Sequence, residues 1–388
     1  MRAFRSVFIP ALALIGCTAA TDAGNAGQQT AGQSVAGEAG RPFQVREIAQ
    51  FREPWAMAFL PGGRQALITE KRGAVRLWTV GGQAVDVAGV PQVAYGGQGG
   101  LGDVAVHPDF ANNGVIYLSY AEAGENGTRH AAVGRGRLVT EGGSPRIENF
   151  QVIWRQEPGF DGRGHYGHRL LFSPDGQFLF ISSGERQEFD PAQDRNSNAG
   201  KIVRLTDTGM VPSDNPFYDQ GRIISQVWSL GHRNPLGMAW DADGRLWEIE
   251  MGPQGGDELN LVERGANYGY PIVSNGDHYD GRPIPDHDTR PEFAAPKVTW
   301  TPVISPGNMI YYTGSMFPEW RGDLLVAGLS SQALVRVDLD GTSAREAERW
   351  NMGQRIREVE QGPDGSIYLL EDERNGSGGR LLHLTPAR

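Results

Sequence analysis

The feature that most constrains the fold of this chain is a hairpin unit that recurs six times between residues 58 and 371. Each copy has an apolar flank, a tight turn and then an apolar or alternating strand. The copies occupy residues 58–69, 105–120, 171–183, 239–251, 316–328 and 361–371, and their turn glycines are Gly63, Gly114, Gly176, Gly244, Gly322 and Gly365. Asp-Gly and Asn-Gly pairs favour hairpin turns because glycine adopts the positive φ that such turns need.

A repeat of this kind indicates an all-β protein. The intervals between turn glycines run from 43 residues (322 to 365) to 78 residues (244 to 322), enough for four strands and a loop. We therefore predict a six-bladed β-propeller of four-stranded antiparallel blades over residues 42–388. The alternative is a glycine-rich pair of β-sandwiches in which the turns occur by chance, but the regular order of flank, turn and strand favours the propeller.

The composition agrees with this prediction. The chain has 54 glycines and 24 prolines in 388 residues, which is too many helix breakers for long helical bundles. A net charge of −10 argues against a nucleic-acid partner, because such proteins usually present a basic surface. The longer intervals between the second and fifth units are loop insertions, and we expect functional residues to concentrate there.

The N-terminus has the pattern of an export signal. Arg2 and Arg5 precede an apolar stretch at residues 7–15, and Gly16 and Cys17 follow. The run from 14 to 17 is typical of a bacterial lipobox, in which the cysteine is lipidated and starts the mature protein; an ordinary signal with an incidental cysteine is the alternative. Cys17 is the only cysteine in the chain, and residues 18–41 are predicted to be a flexible tether. The sequence thus predicts an exported, periplasmic domain that meets a membrane surface only through a lipid anchor.

Two segments in the first half carry candidate functional residues. Residues 96–110 set Gln98 among glycines, which let a backbone approach a ligand closely. Residues 162–176 place His165, His168 and Arg169 just before a strand. A histidine near the axis could act as a general base, because its ordinary pKa lies near neutrality. A surface or hydrogen-bonded histidine is the alternative, and metal ligation lacks a third His or Cys nearby.

Residues 229–240 offer His232, Arg233 and Asn234 before a proline. This rigid group of donors suits an anion or the oxygens of a quinone.

Residues 251–271 bring the carbonyls of Gly252 and Pro253 together with the carboxylates of Asp257 and Glu258. Hard oxygen ligands of this kind are what Ca²⁺ prefers, although the spacing is not that of an EF-hand.

Arg355 and Arg357 stand two residues apart, and on a strand they would face the same side. Two guanidinium groups side by side repel each other unless an anion lies between them. That anion could be a ligand or an acidic neighbour such as Glu358 or Glu360.

These segments, in this order, resemble the glucose/sorbosone dehydrogenase family of soluble aldose sugar dehydrogenases, which use pyrroloquinoline quinone (PQQ) on a six-bladed propeller. The resemblance covers about residues 45–385, and its most specific pieces are GQGGLGD, H-x-G-x-R, GHRNPLG, MGPxxxDELN…NYGYP and RIRE.

The resemblance implies a role for each matching residue. The catalytic base falls on His165, and the cofactor-binding positions on Gln98, Arg233, Asn234, Arg355 and Arg357. The calcium that polarises the quinone falls on the carbonyls of Gly252 and Pro253, and a second, structural calcium on Glu258 and Tyr268. The implied reaction is oxidation of an aldose at C1 to the lactone, with electrons passed to an unidentified acceptor.

Two positions depart from the family pattern. Residues 328–331 read Gly-Leu-Ser-Ser, so Ser330 stands where family members commonly carry a lysine, and Gly184-Glu185 stands where a Gly-Asp step is common. Two other functions remain open at this point: a catalytically silent, lipid-anchored binding module, and a calcium-dependent lactonase-like hydrolase. The preferred sugar, the electron acceptor and the oligomeric state do not follow from the sequence.

Overall fold

The computed structural model describes residues 41–374 and 378–387. The predicted signal with Cys17, and residues 18–40 of the predicted tether, lie outside the described residues. Within the described part, no helix is long and apolar enough to cross a membrane.

The strands form six four-stranded antiparallel sheets, which confirms the predicted six-bladed propeller. Blade 1 holds β2 (Pro54–Phe59), β3 (Gln65–Glu70), β4 (Ala74–Thr79) and β5 (Ala84–Val87). Blade 2 holds β6 (Leu101–Val106), β7 (Val115–Ala123), β8 (Arg129–Val139) and β9 (Arg146–Arg155). Blade 3 holds β10 (Gly167–Phe172), β11 (Phe178–Ser183), β12 (Lys201–Thr206) and β13 (Val227–Leu230).

The remaining blades repeat this order. Blade 4 holds β14 (Pro235–Trp240), β15 (Leu246–Glu250), β16 (Asp257–Val262) and β17 (Val298–Trp300). Blade 5 holds β18 (Pro306–Tyr311), β19 (Leu324–Gly328), β20 (Ala333–Asp340) and β21 (Ser343–Asn351). Blade 6 holds β22 (Ile356–Gln361), β23 (Ile367–Glu371) and β24 (Arg380–Pro386), and β1 (Phe43–Gln50) completes it.

Helical structure is confined to short pieces. The α-helix α1 covers Phe110–Asn113, and single 3₁₀ turns occur at Glu125–Gly127, Asp190–Ala192, Tyr218–Gln220, Ile223–Gln226, His287–Thr289 and Pro318–Trp320.

The ring closes through a strand from each end of the chain. β1 pairs antiparallel with β24, with Phe43 opposite Pro386, so the outer strand of the last blade comes from the start of the domain. The innermost strands of successive blades contact one another around the ring, including β22 with β2. Closure of this kind leaves no long unpaired edge at the junction.

Each predicted hairpin turn connects the first and second strands of one blade. All six turn glycines have positive φ, from 66° at Gly63 and Gly114 to 100° at Gly322. The starts of the first strands and the ends of the second strands therefore gather at the opposite end of the axis.

That end of the axis is shaped by a bulge in every innermost strand. The register shifts lie at the first residues of each strand: Pro54/Ala56, Leu101/Val104, Gly167/Leu170, Pro235/Gly237, Pro306/Asn308 and Ile356/Glu358. A bulge changes the direction of a side chain and often occurs next to an active site.

Arg169, placed by the bulge in β10, lies on the axis and contacts the innermost strand of every other blade. Its guanidinium stacks 4.1 Å from the Trp55 ring centroid and lies 3.4 Å from Asp103 and 2.8 Å from Glu358. It also donates to the carbonyls of Leu236 (2.6 Å) and Gly307 (2.7 Å). One side chain thus connects all six blades.

Candidate active site

Residues from five blades, with Gln98 from the loop that leads into blade 2, line a cavity at this end of the axis, here called the axial cavity. It encloses about 880 Å³, part of it open to solvent. Of the predicted cofactor-binding residues, Gln98, Asn234, Arg355 and Arg357 line it. The structure therefore brings together side chains that lie up to 259 positions apart (98 to 357).

One wall of the axial cavity is strongly cationic. Lys71, Arg355, Arg357 and Arg374 line it, and Asp372 lies among them. Asp372 Oδ2 lies 3.1 Å from Arg355 Nη2 and 3.3 Å from Arg357 Nη2. Burial opposes ionisation of Asp372, but Arg357 and Arg355 outweigh it and hold its pKa below the usual value.

The anion between the paired arginines is thus Asp372, and the alternative partners considered from the sequence, Glu358 and Glu360, are wrong. Glu358 pairs with Arg169 instead. Arg355 also precedes β22, so the two arginines do not meet by strand alternation. Glu53 is a second carboxylate in the lining, but two carboxylates cannot neutralise these four cations, so the axial cavity keeps a surplus of positive charge.

The opposite side of the axial cavity offers an unpaired donor. Asn234 is buried, its Oδ1 accepts from the Gly167 N–H at 3.2 Å, and its Nδ2 has no partner. The Gln98 side chain accepts a hydrogen bond from the His165 N–H at 2.8 Å. This bond connects the axial cavity to a second cavity that contains His165.

A second cavity, here called the side cavity, measures about 590 Å³ including space open to solvent, and it contains the predicted base. His165, Arg233 and Pro253 line it together with Glu185. Aromatic side chains cover much of the remaining wall, namely Phe189, Tyr270, His278 and Tyr279.

His165 is oriented by a carboxylate. Its Nδ1 lies 2.5 Å from Glu185 Oε1, and Glu185 Oε2 accepts from the Phe189 N–H at 2.7 Å. Burial lowers the pKa of His165 below its usual value, against the hydrogen bond to Glu185. Burial works against the ionisation of Glu185 too, but the interactions with His165, the Phe189 N–H and Arg233 together outweigh it, so the pKa of Glu185 is lowered. A neutral imidazole that donates Nδ1–H to an ionised Glu185 keeps Nε2 as a proton acceptor.

His168 has a different environment. Both ring nitrogens are buried without a hydrogen-bond partner, and the ring stacks on Tyr166 with centroids 5.1 Å apart. Burial lowers its pKa to about 3. His168 is therefore a neutral aromatic part of the axial cavity wall.

The predicted calcium ligands lie beside the side cavity. The Gly252 carbonyl accepts from Arg233 Nη1 at 2.6 Å, and the Gly252 N–H donates to Asp257 Oδ1 at 2.9 Å. Burial raises the pKa of Asp257 to about 7.

Glu258 and Tyr268, predicted to hold a second calcium, line a small cavity with Glu250 and Ser274. The Tyr268 carbonyl accepts from His287 Nε2 at 3.1 Å, and its hydroxyl donates to the Leu261 carbonyl at 2.5 Å. Burial, and next the charge of Glu250, raise the pKa of Glu258 well above its usual value.

Sequence reasoning missed three residues of this site: Asp372, Lys71 and the role of Glu185. Asp372 and Lys71 follow directly after the second strands of blades 6 and 1, and Glu185 follows that of blade 3 by two residues. A charged residue within two positions of the end of a second strand, in these three blades, was the available signal.

The axial ring of blades, the polar cavity at its end and the carboxylate-oriented histidine beside it define a propeller enzyme. The chain belongs to the Glucose / Sorbosone dehydrogenase family, whose model matches residues 51–383. The aldose sugar dehydrogenase YliI of Escherichia coli (strain K12) is 40% identical over 341 residues, which cover 86% of this chain and 90% of that protein.

Two solved structures of sugar dehydrogenases are similar to this chain. A crystal structure of a glucose dehydrogenase has a TM-score of 0.84 at 43% identity, covering 89% of this chain and 100% of that one. The PQQ-bound form of an aldose sugar dehydrogenase from Streptomyces coelicolor has a TM-score of 0.73 at 29% identity, covering 88% of this chain and 98% of that one.

Proposed function

We propose that this protein is a PQQ-dependent sugar dehydrogenase that oxidises an aldose at C1 to the lactone. The observation that carries the proposal is the pairing of a cationic axial cavity with the His165–Glu185 dyad in the adjoining side cavity. The aldose sugar dehydrogenase from S. coelicolor, whose PQQ-bound form is known, supports the same cofactor class.

The axial cavity fits a planar tricarboxylate. Arg355, Arg357 and Lys71 supply positive charge for carboxylates, and the unpartnered Asn234 Nδ2 can donate to a quinone oxygen. The bound quinone would supply the two-electron acceptor for the reaction.

The chain's own residues would then bind the sugar and move its proton. The aromatic side cavity would hold the sugar, and His165 Nε2 would accept the proton of the C1 hydroxyl. Ionised Glu185 would stabilise the imidazolium that forms, by the logic of a carboxylate-oriented base. Side-cavity residues Tyr270 to Arg282 come from the 270–300 segment, so this loop would set the sugar preference.

Calcium remains part of the proposal. The carbonyls of Gly252 and Pro253 would hold the ion near the cofactor, and Glu258 with the Tyr268 carbonyl would hold a structural one. The Gly252 carbonyl already accepts from the Arg233 guanidinium, so it lies where positive charge is stabilised.

The lactonase alternative needs an axial metal held by free carboxylates. In the described part of the axial cavity, Asp372 pairs with Arg355 and Arg357, and Glu53 pairs with Arg72. A silent binding module would not need a buried His165–Glu185 pair. Both observations favour the dehydrogenase.

The direct test is reconstitution of purified apoprotein with PQQ, with and without Ca²⁺. We expect saturable binding, followed by absorbance, and calcium-dependent reduction of an artificial dye by a panel of aldoses. Binding without turnover on any aldose would support the silent module, and no PQQ binding would contradict the proposal.

We further propose that Cys17 carries a lipid that anchors the protein to the cell envelope on its periplasmic side. The support is the lipobox and the absence of any other cysteine in the sequence. Cys17→Ser should move the protein from the membrane fraction to the soluble fraction. Wild-type protein that is already unanchored would contradict this.

A further inference from the structure

A cluster of acidic side chains lies between blades 3 and 4, behind the active-site loops. Glu248 and Glu250 lie two residues apart on β15, and Glu258 and Asn260 lie two residues apart on β16. In the ladder, Glu250 is opposite Glu258 and Glu248 is opposite Asn260. Like charges directly opposite each other destabilise a sheet, so this arrangement needs a compensating positive charge.

The described residues do not supply that charge from lysine or arginine side chains. The ion pairs found for Glu248, Glu250 and Glu258 are with histidines: His232 for the first two and His287 for the third. Asn260 Nδ2 lies 3.2 Å from Glu248, 3.3 Å from Glu250 and 3.5 Å from Glu258, so the carboxylates share one polar pocket. Buried carboxylates normally need a partner of opposite charge or a metal ion.

His232 faces two of these carboxylates. Its Nδ1 lies 3.3 Å from Glu250 Oε1 and 3.7 Å from Glu248 Oε2. One potential ligand atom from each of the three residues lies within 4.8 Å of the other two, and all three residues are buried.

The outer contacts of His232 are those of a metal-binding imidazole. Its Nε2 lies 2.8 Å from Ser229 Oγ, and its ring stacks on Tyr268 with centroids 4.7 Å apart. A histidine that ligates through one nitrogen usually donates the other N–H to a neighbouring acceptor, which fixes the ring.

Two buried atoms in this cluster have no partner: Glu248 Oε1 and Asn260 Oδ1. Both residues are fully buried, with exposures of 0%. Both atoms are acceptors, so what the cluster lacks is a hydrogen-bond donor or a cation.

We propose that His232, Glu248 and Glu250 bind a divalent transition-metal ion, at a site separate from the calcium proposed at Glu258 and Tyr268. One imidazole nitrogen with two carboxylates is a ligand set that suits zinc and its neighbours, whereas calcium takes oxygen ligands alone.

The proposed ion would act on the loop that carries two cofactor residues. Glu250 Oε2 accepts from the N–H groups of Arg233 (2.5 Å) and Asn234 (3.1 Å), while Glu250 Oε1 faces His232. A metal bound to Glu250 would therefore hold its carboxylate in place, and this carboxylate in turn holds the loop that carries Arg233 and Asn234.

The test uses the whole protein, stripped with a chelator and dialysed into buffer with Ca²⁺ to fill oxygen-only sites. Zn²⁺ is then added, and bound metal and melting temperature are measured. We expect one Zn²⁺ per chain and a raised melting temperature. Glu248→Gln and His232→Gln should each weaken Zn²⁺ binding by more than about 100-fold, because even outer partners of a metal site are worth about 10–100-fold.

Glu258→Gln is the matched control, since it removes a carboxylate of the same cluster outside the proposed ligand set. It should keep the Zn²⁺ response and lose the response to Ca²⁺. If the substituted proteins fold poorly, Cu²⁺ bound to wild type gives a second measurement: its EPR spectrum should show coupling to an imidazole nitrogen.

Failure to bind Zn²⁺ would overturn the site, as would Zn²⁺ binding that both ligand variants leave unchanged. In either case the acidic cluster holds protons and not a metal. None of these measurements uses PQQ, so a failure here is distinguishable from a failure of the proposed dehydrogenase activity.

Discussion

At the scale of single residues, the two buried histidines show how one neighbouring carboxylate can separate their roles. His165 has a carboxylate on Nδ1 and lies in the side cavity, whereas His168 has two unpartnered nitrogens in the axial cavity wall. A general base needs a lone pair within reach of the substrate and a group that stabilises its charged form. Only His165 has the second of these.

We expect His165→Ala to lower turnover by about 10²–10⁴-fold, the usual contribution of a positioned proton acceptor. PQQ binding, followed by absorbance, should persist because other residues hold the cofactor. His168→Ala is the matched control and should cost much less. The reverse ranking would contradict the assignment, and small equal losses would favour the silent module.

Glu185 should set both the rate and its pH dependence. Glu185→Gln removes a charge-assisted hydrogen bond worth about 1.5–3 kcal/mol, so turnover should fall by about 10–100-fold. Because Glu185 raises the pKa of His165 against burial, its loss should lower that pKa further. The acid limb of the pH–rate profile should then move to lower pH, and a limb that moves to higher pH would contradict this relation.

At the scale of strands, the bulges at the start of the innermost strands decide which side chains reach the axis. They explain why Arg355 and Arg357 meet on Asp372 although Arg355 lies outside the strand. Strand ends also explain how the cationic wall forms without the lysine common in the family. Ser330 donates to Ser305 Oγ at 2.8 Å, and Lys71, at the end of β3, supplies a cation from blade 1.

Lys71→Met should weaken PQQ binding by about 10–100-fold, since a hydrogen bond to a charged group is worth about 1.5–3 kcal/mol. Ser330→Lys in the same background should restore affinity, because Ser305 and Leu329 beside it line the axial cavity. Exposed Lys297 provides the control, and Lys297→Met should bind like wild type. Equal affinities for all of these proteins would show that Lys71 does not contact the cofactor.

At the scale of the whole molecule, the ring depends on contacts at its axis and on closure by β1. Arg169 joins the six innermost strands, and its loss would leave Asp103 and Glu358 buried without their cation. Breaking a buried pair in this way costs about 3–5 kcal/mol. We therefore expect Arg169→Met to lower the free energy of unfolding in urea by about that amount. Arg345→Met, at an exposed pair with Asp338, should change it little.

Several features of the candidate site could be predicted from the sequence because they are local. Gln98, His165, Arg233, Asn234, Arg355 and Arg357 were recognisable from the loops in which they stand. Their partners were not. Glu185 lies 20 positions from His165, and Asp372 lies 15 from Arg357, across turns whose geometry no local pattern gives.

The sequence by itself determined the number of blades and the position of each hairpin, because turn chemistry and strand alternation act over a few residues. The tertiary structure alone decided that β1 closes blade 6, that Lys71 faces the arginines and that Arg169 lies on the axis. These are contacts between residues far apart in the chain. They exist only once the ring has closed and the bulges have turned the side chains inward.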